Sequence, residues 1–215
     1  MDLFPRYGLL LRRFLVYAGS AVCAELRNQE TLVLILRGAV GRAKQRGREH
    51  MPKPQQLQSL RADLAELAPQ IPTGLRLPVD PSMQVEELLV GKCVVFGSAQ
   101  KPLLLQFANS DLPAAAPVAI IFKDGDDVRQ DALCLQGFNL MRQLWMNGGA
   151  LSAPSTDYEG HAVGIDIPMS PWGNAYGCVS LGHEVGMLEC VTNSETLAAI
   201  TVWGESTMTR GVSKL

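Results

Sequence analysis

No two of the five cysteines form a CxxC pair, and Cys23, Cys93, Cys134, Cys178 and Cys190 lie far apart. The three histidines, His50, His161 and His183, are equally scattered, so the sequence offers no metal-ligand cluster. Reduced, mostly buried thiols in a cytosolic protein are the expectation. A net charge of −2 creates no global field that would attract nucleic acid or an anionic membrane, although local basic patches stay open. No apolar stretch reaches the roughly 20 residues needed to span a bilayer. What is present is an ordinary globular composition, 47% hydrophobic and 19% charged, with enough apolar material for a core. The 215 residues suit one large domain or two small ones, without internal repeats or low-complexity tracts.

The stretch "RRFLVYAGSAVCAEL" mimics a signal peptide. Against that reading, the apolar run "YGLLL" lies upstream of Arg12 and Arg13, and Ala18, Gly19, Ser20 and Ala21 dilute the run after them. Residues 1–70 read as helical instead. Leu10, Leu11, Phe14, Leu15 and Ala18 recur at helical spacing. Asn28 is a good N-cap for a second helix over "QETLVLILRGAVGRAKQRG". After the break "MPKPQQ", a third helix places Leu57, Leu60, Leu64 and Leu67 on one face. The basic run from Arg42 to Arg48 reads as a solvated helix end or a membrane contact.

Proline-dense "PQIPTGLRLPVDP" marks a boundary, so residues 71–84 are expected to form a linker and residues 85–215 a second unit. There "LLVGKCVVF", "PLLLQF" and "PVAIIF" are short apolar runs separated by turn residues, the pattern of an antiparallel sheet. Residues 127–145 read as a helix with Leu133, Leu140, Met141, Leu144 and Trp145 on one face. A long loop over 147–174, rich in glycine, proline and serine, precedes two further strand-like runs, "YGCVSL" and "VGMLECV". The expected fold class is α+β.

In "VAIIFKDGDDVRQDALCLQGF" an apolar strand ends in Lys123, with carboxylates just beyond it. Asp124 and Gly125 suit a turn, and Asp126 or Asp127 suits a helix cap. Lys123 then has two readings: a surface lysine at a strand end, or a phosphate-gripping lysine paired with Asp131 on the next helix. A sheet, one helix and more sheet is the order of a kinase N-lobe, in which a third-strand lysine and a helix acid cooperate. An unpaired lysine in an apolar setting is costly, so either reading calls for a partner.

"VAIIFKDGDDVRQDALCLQGFNLMRQLW" resembles the signature of the phosphoinositide 3-kinases: apolar strand, lysine, GDD-hydrophobic-RQD, apolar helix. "LPVDPSMQVEELLVGKCVVFGSAQKPLLLQF" is similar to that family's entry into the catalytic domain. "YGCVSLGHEVGMLECVTNSETLAAI" is similar to its fourth and fifth strands and hinge. "RYGLLLRRFLVYAGSAVCAEL" and "PKPQQLQSLRADLAEL" resemble the end of its helical domain, and "KCVVF…KPLLLQF" with "YGC" favours class I catalytic subunits over class III.

The resemblance implies that Lys123 binds ATP phosphate with Asp131 as its acidic partner. It implies that Tyr176 lines the inner adenine pocket, Ser98 contacts phosphate and Pro102 packs over the nucleotide. Glu189 and Val191 would read the adenine edge through the backbone, with Leu188 just behind the hinge.

Leu104 stands where class I members usually carry tryptophan, implying a flatter shelf at the pocket mouth. The loop ahead of Tyr176 is longer than the family's, and "WGNA" interrupts Pro-Tyr-Gly, implying a displaced tyrosine. No DRHxxN-like segment and no DFG occurs, so no catalytic-loop residue and no Mg²⁺ ligand is assigned here.

The expectation is a helical segment over 1–70 and a kinase N-lobe cut just past the hinge, with the C-lobe absent. By resemblance, the full-length enzyme would phosphorylate the inositol 3-hydroxyl of a phosphoinositide with ATP and Mg²⁺. It would be cytoplasmic, peripherally membrane-associated when active, and partnered by a regulatory subunit; the chain alone would be inactive. The alternative is a non-catalytic interaction module that binds a regulatory subunit or competes with the full-length kinase. Another kinase of the same superfamily fits GDDVRQD and the helical segment less well.

Overall fold

The computed structural model describes residues 5–110, 116–147, 176–191 and 194. The expected loop over 147–174 therefore lies almost wholly outside the described residues, as does the side chain of Trp145.

Helix α1 (Pro5–Arg48) carries both of the first two expected helices. Their junction differs from the sequence reading. Asn28 lies inside the helix, and the backbone breaks at Gly19 instead, with φ 81° and ψ 171°. Only a residue without Cβ takes that left-handed geometry cheaply, so the break falls at the glycine. Helix α2 (Lys53–Leu67) follows as expected and buries Leu60 and Leu64. The basic run is split by its partners. Arg42 and Arg46 both pair with Asp63 of α2, tying the two helices together.

The remaining elements build a seven-stranded sheet from β1 (Leu75–Leu77), β2 (Asp80–Leu88), β3 (Val94–Val95), β4 (Leu103–Asn109), β5 (Val118–Asp124), β6 (Cys178–Gly182) and β7 (Val185–Glu189). The order is β1-β2-β4-β5-β7-β6, with β3 on β4, and every pairing is antiparallel. With the helices, this is the α+β class expected. Two local differences stand out. Residues 71–84, expected as a linker, hold β1 and the first half of β2, and Leu75 and Leu77 are buried in the common core. The run "LLVGKCVVF" is not one strand: a 3-10 turn at Val90–Lys92 separates β2 from the two-residue β3.

Side chains alternate between faces along a strand, and directly opposed residues share a face. One face carries Leu103, Leu105, Phe107, Ile120, Phe122, Val185 and Met187, all buried in a cluster with Leu32, Leu36, Ala39 and Val40 of α1 and Leu60 and Leu64 of α2. Burial of each large apolar side chain contributes about 1.5–3 kcal/mol. The opposite face receives α3 (Arg129–Asn147), which packs on β6.

That helix begins two residues later than expected. The Arg129 amide donates to Asp127 Oδ1 at 3.1 Å, and Gly125 turns the chain with φ 102°, so the expected turn and cap are both present. Its expected core face is not buried: Leu133, Leu140, Met141 and Leu144 are exposed, and Leu135 with Val128 makes the buried contact. Apolar periodicity identifies a face but not which neighbour covers it.

Candidate nucleotide cleft

Lys123 is the next-to-last residue of β5, opposite Gly186 on β7. Its neighbour Asp124 turns to the other face, where Arg37 of α1 pairs with the carboxylate at 3.2 Å. Lys123 therefore faces the α3 side of the sheet. On that side the pairing places Leu104, Ile121, Leu188 and Cys178 in one row across β4, β5, β7 and β6. Leu188 is buried. The row makes an apolar floor, with Lys123 two residues beyond Ile121 on the same face of β5.

Asp131 lies in the first turn of α3. Burial pushes the Cys178 thiol above its ordinary value; Asp131 adds to that rise and Lys123 opposes it. Tyr176 is an exposed side chain, 36% accessible, whose phenol is raised by partial burial, with Asp131 acting in the same direction. Register puts Cys178 on the same sheet face as Lys123, and α3, whose first turn holds Asp131, packs on β6, the strand that begins with Cys178. Among the described residues no ion pair joins Lys123 to Asp131; the carboxylates that are paired are Asp124, Asp63, Glu25 and Asp127. Lys123 lies on the sheet face that α3, the helix carrying Asp131 in its first turn, covers.

The start of α3 is held by close packing. A Cβ on Gly186 would fall within the Val128 side chain, so glycine opposite Lys123 lets α3 approach β7. Cys178 Sγ also lies 3.6 Å from the Val128 carbonyl oxygen.

At the other end of the floor, the Glu189 amide donates to the Gly177 carbonyl at 2.8 Å. The Gly177 amide donates back to the Glu189 carboxylate at 3.0 Å. This reciprocal pair ties Tyr176, the residue before Gly177, to the strand end expected as a hinge. The Cys190 amide donates to the Ala119 carbonyl at 2.9 Å, and the Val191 carbonyl accepts from the Ser194 hydroxyl at 2.9 Å. Val191 itself is exposed.

Ser98 is exposed in the turn between β3 and β4, where its carbonyl accepts from the Lys101 amide at 3.2 Å. Pro102 is buried at the base of that turn, its carbonyl accepting from Phe96 at 2.9 Å. The turn reaches the end of β5 through Gln100, whose side chain lies where a Cβ on Gly125 would stand. Two floor residues were missed from sequence. Ile121 was available from strand alternation, being two residues before Lys123, whereas Cys178 needed the register of β6.

Among the described residues no group of His, Cys, Asp and Glu is arranged to hold an ion. Nor is any described helix long and apolar enough to cross a membrane.

Residues 117–210 match the family model for phosphatidylinositol 3- and 4-kinases. The chain is 34% identical over 203 residues to phosphatidylinositol 3-kinase 1 of Dictyostelium discoideum, covering 93% of this chain and 11% of the relative. It is 31% identical over 199 residues to phosphatidylinositol 3-kinase 2 of the same organism, covering 93% of this chain and 9% of the relative. The human phosphatidylinositol 4-phosphate 3-kinase C2 domain-containing subunit beta is 33% identical over 199 residues, covering 92% of this chain and 11% of the relative. The chain thus spans about a tenth of the length of the curated relatives it matches.

Proposed function

We propose that the chain supplies the ATP-gripping half of a lipid kinase, a reading supported by its similarity to phosphatidylinositol 3-kinases and by the match of residues 117–210 to the phosphatidylinositol 3- and 4-kinase model. The reaction transfers the γ-phosphoryl group of ATP to the inositol 3-hydroxyl of a membrane phosphoinositide. The hydroxyl oxygen forms the new bond to phosphorus as the bond to the ADP oxygen breaks. The observation that carries this reading is the strand register that puts Lys123 on the same face as Leu104, Ile121, Leu188 and Cys178, beneath the helix that holds Asp131.

In this reading the Lys123 ammonium neutralises phosphate oxygens as a point charge. Asp131 holds the ammonium toward the cleft. Leu104, Ile121 and Leu188 receive the adenine ring, and the backbone of Glu189 and Val191 reads its edge. Ser98 contributes a hydroxyl from the turn, above Pro102. Mg²⁺ would supply charge neutralisation between phosphates, but the described side chains do not suit it, so no step here is assigned to the metal. Assignment to the class I subunits rests on "KCVVF…KPLLLQF" and "YGC". Peripheral membrane association and a regulatory subunit belong to the same proposal.

The test is nucleotide binding by the full chain, measured by calorimetry with ADP and ATP. Lys123→Ala is expected to weaken binding about ten- to a hundredfold, the range for losing a hydrogen bond to a charged group. Unchanged affinity in that variant would overturn the reading. Residues 1–215 alone are expected to leave phosphatidylinositol vesicles unphosphorylated. Vigorous phosphorylation abolished by Lys123→Ala would show that the chain carries the whole chemistry.

A second reading, a non-catalytic module that docks a regulatory subunit, draws on the exposed Leu10, Phe14, Val16 and Tyr17 before the break at Gly19. Capture of a regulatory subunit by the purified chain, undisturbed by Lys123→Ala, would favour it.

A further inference from the structure

A cavity of about 450 Å³ opens between the C-terminal end of α1 and the turn joining β3 to β4. Its walls include Lys44, Gly47 and Arg48 from the helix and Ser98, Gln100 and Lys101 from the turn, and among the described residues no carboxylate lines it. Lys53 stands at its edge, its Nζ 4.0 Å from the position of a Cβ on Gly97. Among the described residues none of Lys44, Arg48, Lys53 and Lys101 enters an ion pair. Like charges gathered in a concave surface repel one another and raise the local concentration of anions.

Two of these cations are also held in place. Lys44 Nζ donates to the Asp124 carbonyl at 2.6 Å, leaving two N–H donors for a ligand. Lys101 adopts the left-handed region at φ 52°, a conformation uncommon outside glycine. Its aliphatic stem crosses Gly47, where a Cβ would stand 2.7 Å from Lys101 Cε. A larger residue at position 47 would push the stem away.

This cavity is not the nucleotide cleft. Its helical wall lies on the sheet face of Asp124, which Arg37 pairs, whereas Lys123 faces the other side. The two regions share the Ser98 turn. Lysine ammoniums act as point charges toward phosphate, and an arginine fork binds phosphate oxygens in pairs. A single carboxylate would neutralise one of these cations; several phosphate charges are needed to satisfy them together. The volume lies within the range of small-molecule sites. We propose that this cavity is a second anion site, binding a multiply charged phosphate ester behind the Ser98 turn.

The full chain would be titrated by calorimetry with inositol hexakisphosphate as the soluble probe. In parallel it would be sedimented with phosphatidylcholine vesicles with and without phosphatidylinositol bisphosphate. The double variant Arg48→Gln, Lys101→Gln is expected to weaken phosphate-dependent binding about tenfold, and added salt should weaken the wild type in the same direction. Lys123→Ala should leave this binding in place while weakening nucleotide binding, so failure here is separable from failure of the kinase reading. Binding of the soluble probe alone identifies a free phosphate ester; bisphosphate-dependent sedimentation identifies a lipid headgroup. Absence of binding to either probe would overturn the proposal, as would indifference to the double substitution or loss on Lys123→Ala. Should the double variant unfold early, Arg48→Gln alone carries the test, since that side chain is exposed.

Discussion

The ammonium of Lys44 donates a hydrogen bond to the carbonyl oxygen of Asp124 at 2.6 Å, so the opening helix holds the end of the strand that carries Lys123. Arg37 adds a second link from the same helix to the Asp124 carboxylate at 3.2 Å. The phosphate-gripping lysine of the proposed cleft is thereby anchored from the opposite side of the sheet. Position on one face and anchorage on the other follow from strand alternation.

Lys44→Met should remove the charge-assisted bond while keeping most of the aliphatic stem. A loss of about 1 kcal/mol is expected in denaturant unfolding, discounted for partial exposure. Hydrogen exchange should also quicken at the Gly125 amide, which donates to the Glu184 carbonyl at 2.6 Å. Unaltered exchange there would mean that the turn does not depend on Lys44.

Gly186→Ala should destabilise the fold by about 1–3 kcal/mol, the usual cost of overpacking a tight core site. The new Cβ would collide with Val128 at the entry to α3. Combining it with Val128→Ala should recover part of the loss in thermal unfolding. Strict additivity of the two substitutions would refute the collision.

The Tyr176 phenol is held above its ordinary value by burial and by the Asp131 carboxylate. Asp131→Asn should therefore lower its ionisation midpoint, read by ultraviolet difference spectra at alkaline pH. The raised folded value means that this stabilisation is complete below the unfolded midpoint, near 10, and is lost as pH rises through the folded one. A midpoint unmoved by the substitution would place Asp131 away from the tyrosine.

Asp127 titrates at about 2, mainly because the Arg129 side chain hydrogen-bonds its carboxylate, with Nε at 2.8 Å and Nη2 at 2.6 Å. The lowered folded value means that its contribution is present above the ordinary 3.8 and disappears as pH falls toward 2. Arg129→Gln should return the carboxyl midpoint toward 3.8 in an NMR titration.

Much of this arrangement was legible in the residues. The short apolar runs "PLLLQF" and "PVAIIF" marked β4 and β5, and the turn at Gly125 and the Asp127 bond at the start of α3 appear as read, while Asp124 closes the strand. Other positions were not legible. Asn28 has the chemistry of a cap yet lies within α1, because the helix could propagate through it once Gly19 had taken the break. The proline-dense stretch at 71–84 pairs into the sheet, since Leu75 and Leu77 find a buried face that local composition cannot reveal.

By itself the sequence determined the α+β class, the helical opening and the strand-lysine-turn-helix order around Lys123, because periodicity and turn propensities act over a few residues. Only the tertiary structure decided which residues meet. Strand register put Leu104, Ile121, Leu188 and Cys178 in one row and set Gly186 opposite Lys123. Helix docking left the apolar stripe of α3 exposed and brought Lys44 and Arg48 against the Ser98 turn. Such meetings depend on pairing and packing between segments distant in the chain, which no local pattern encodes.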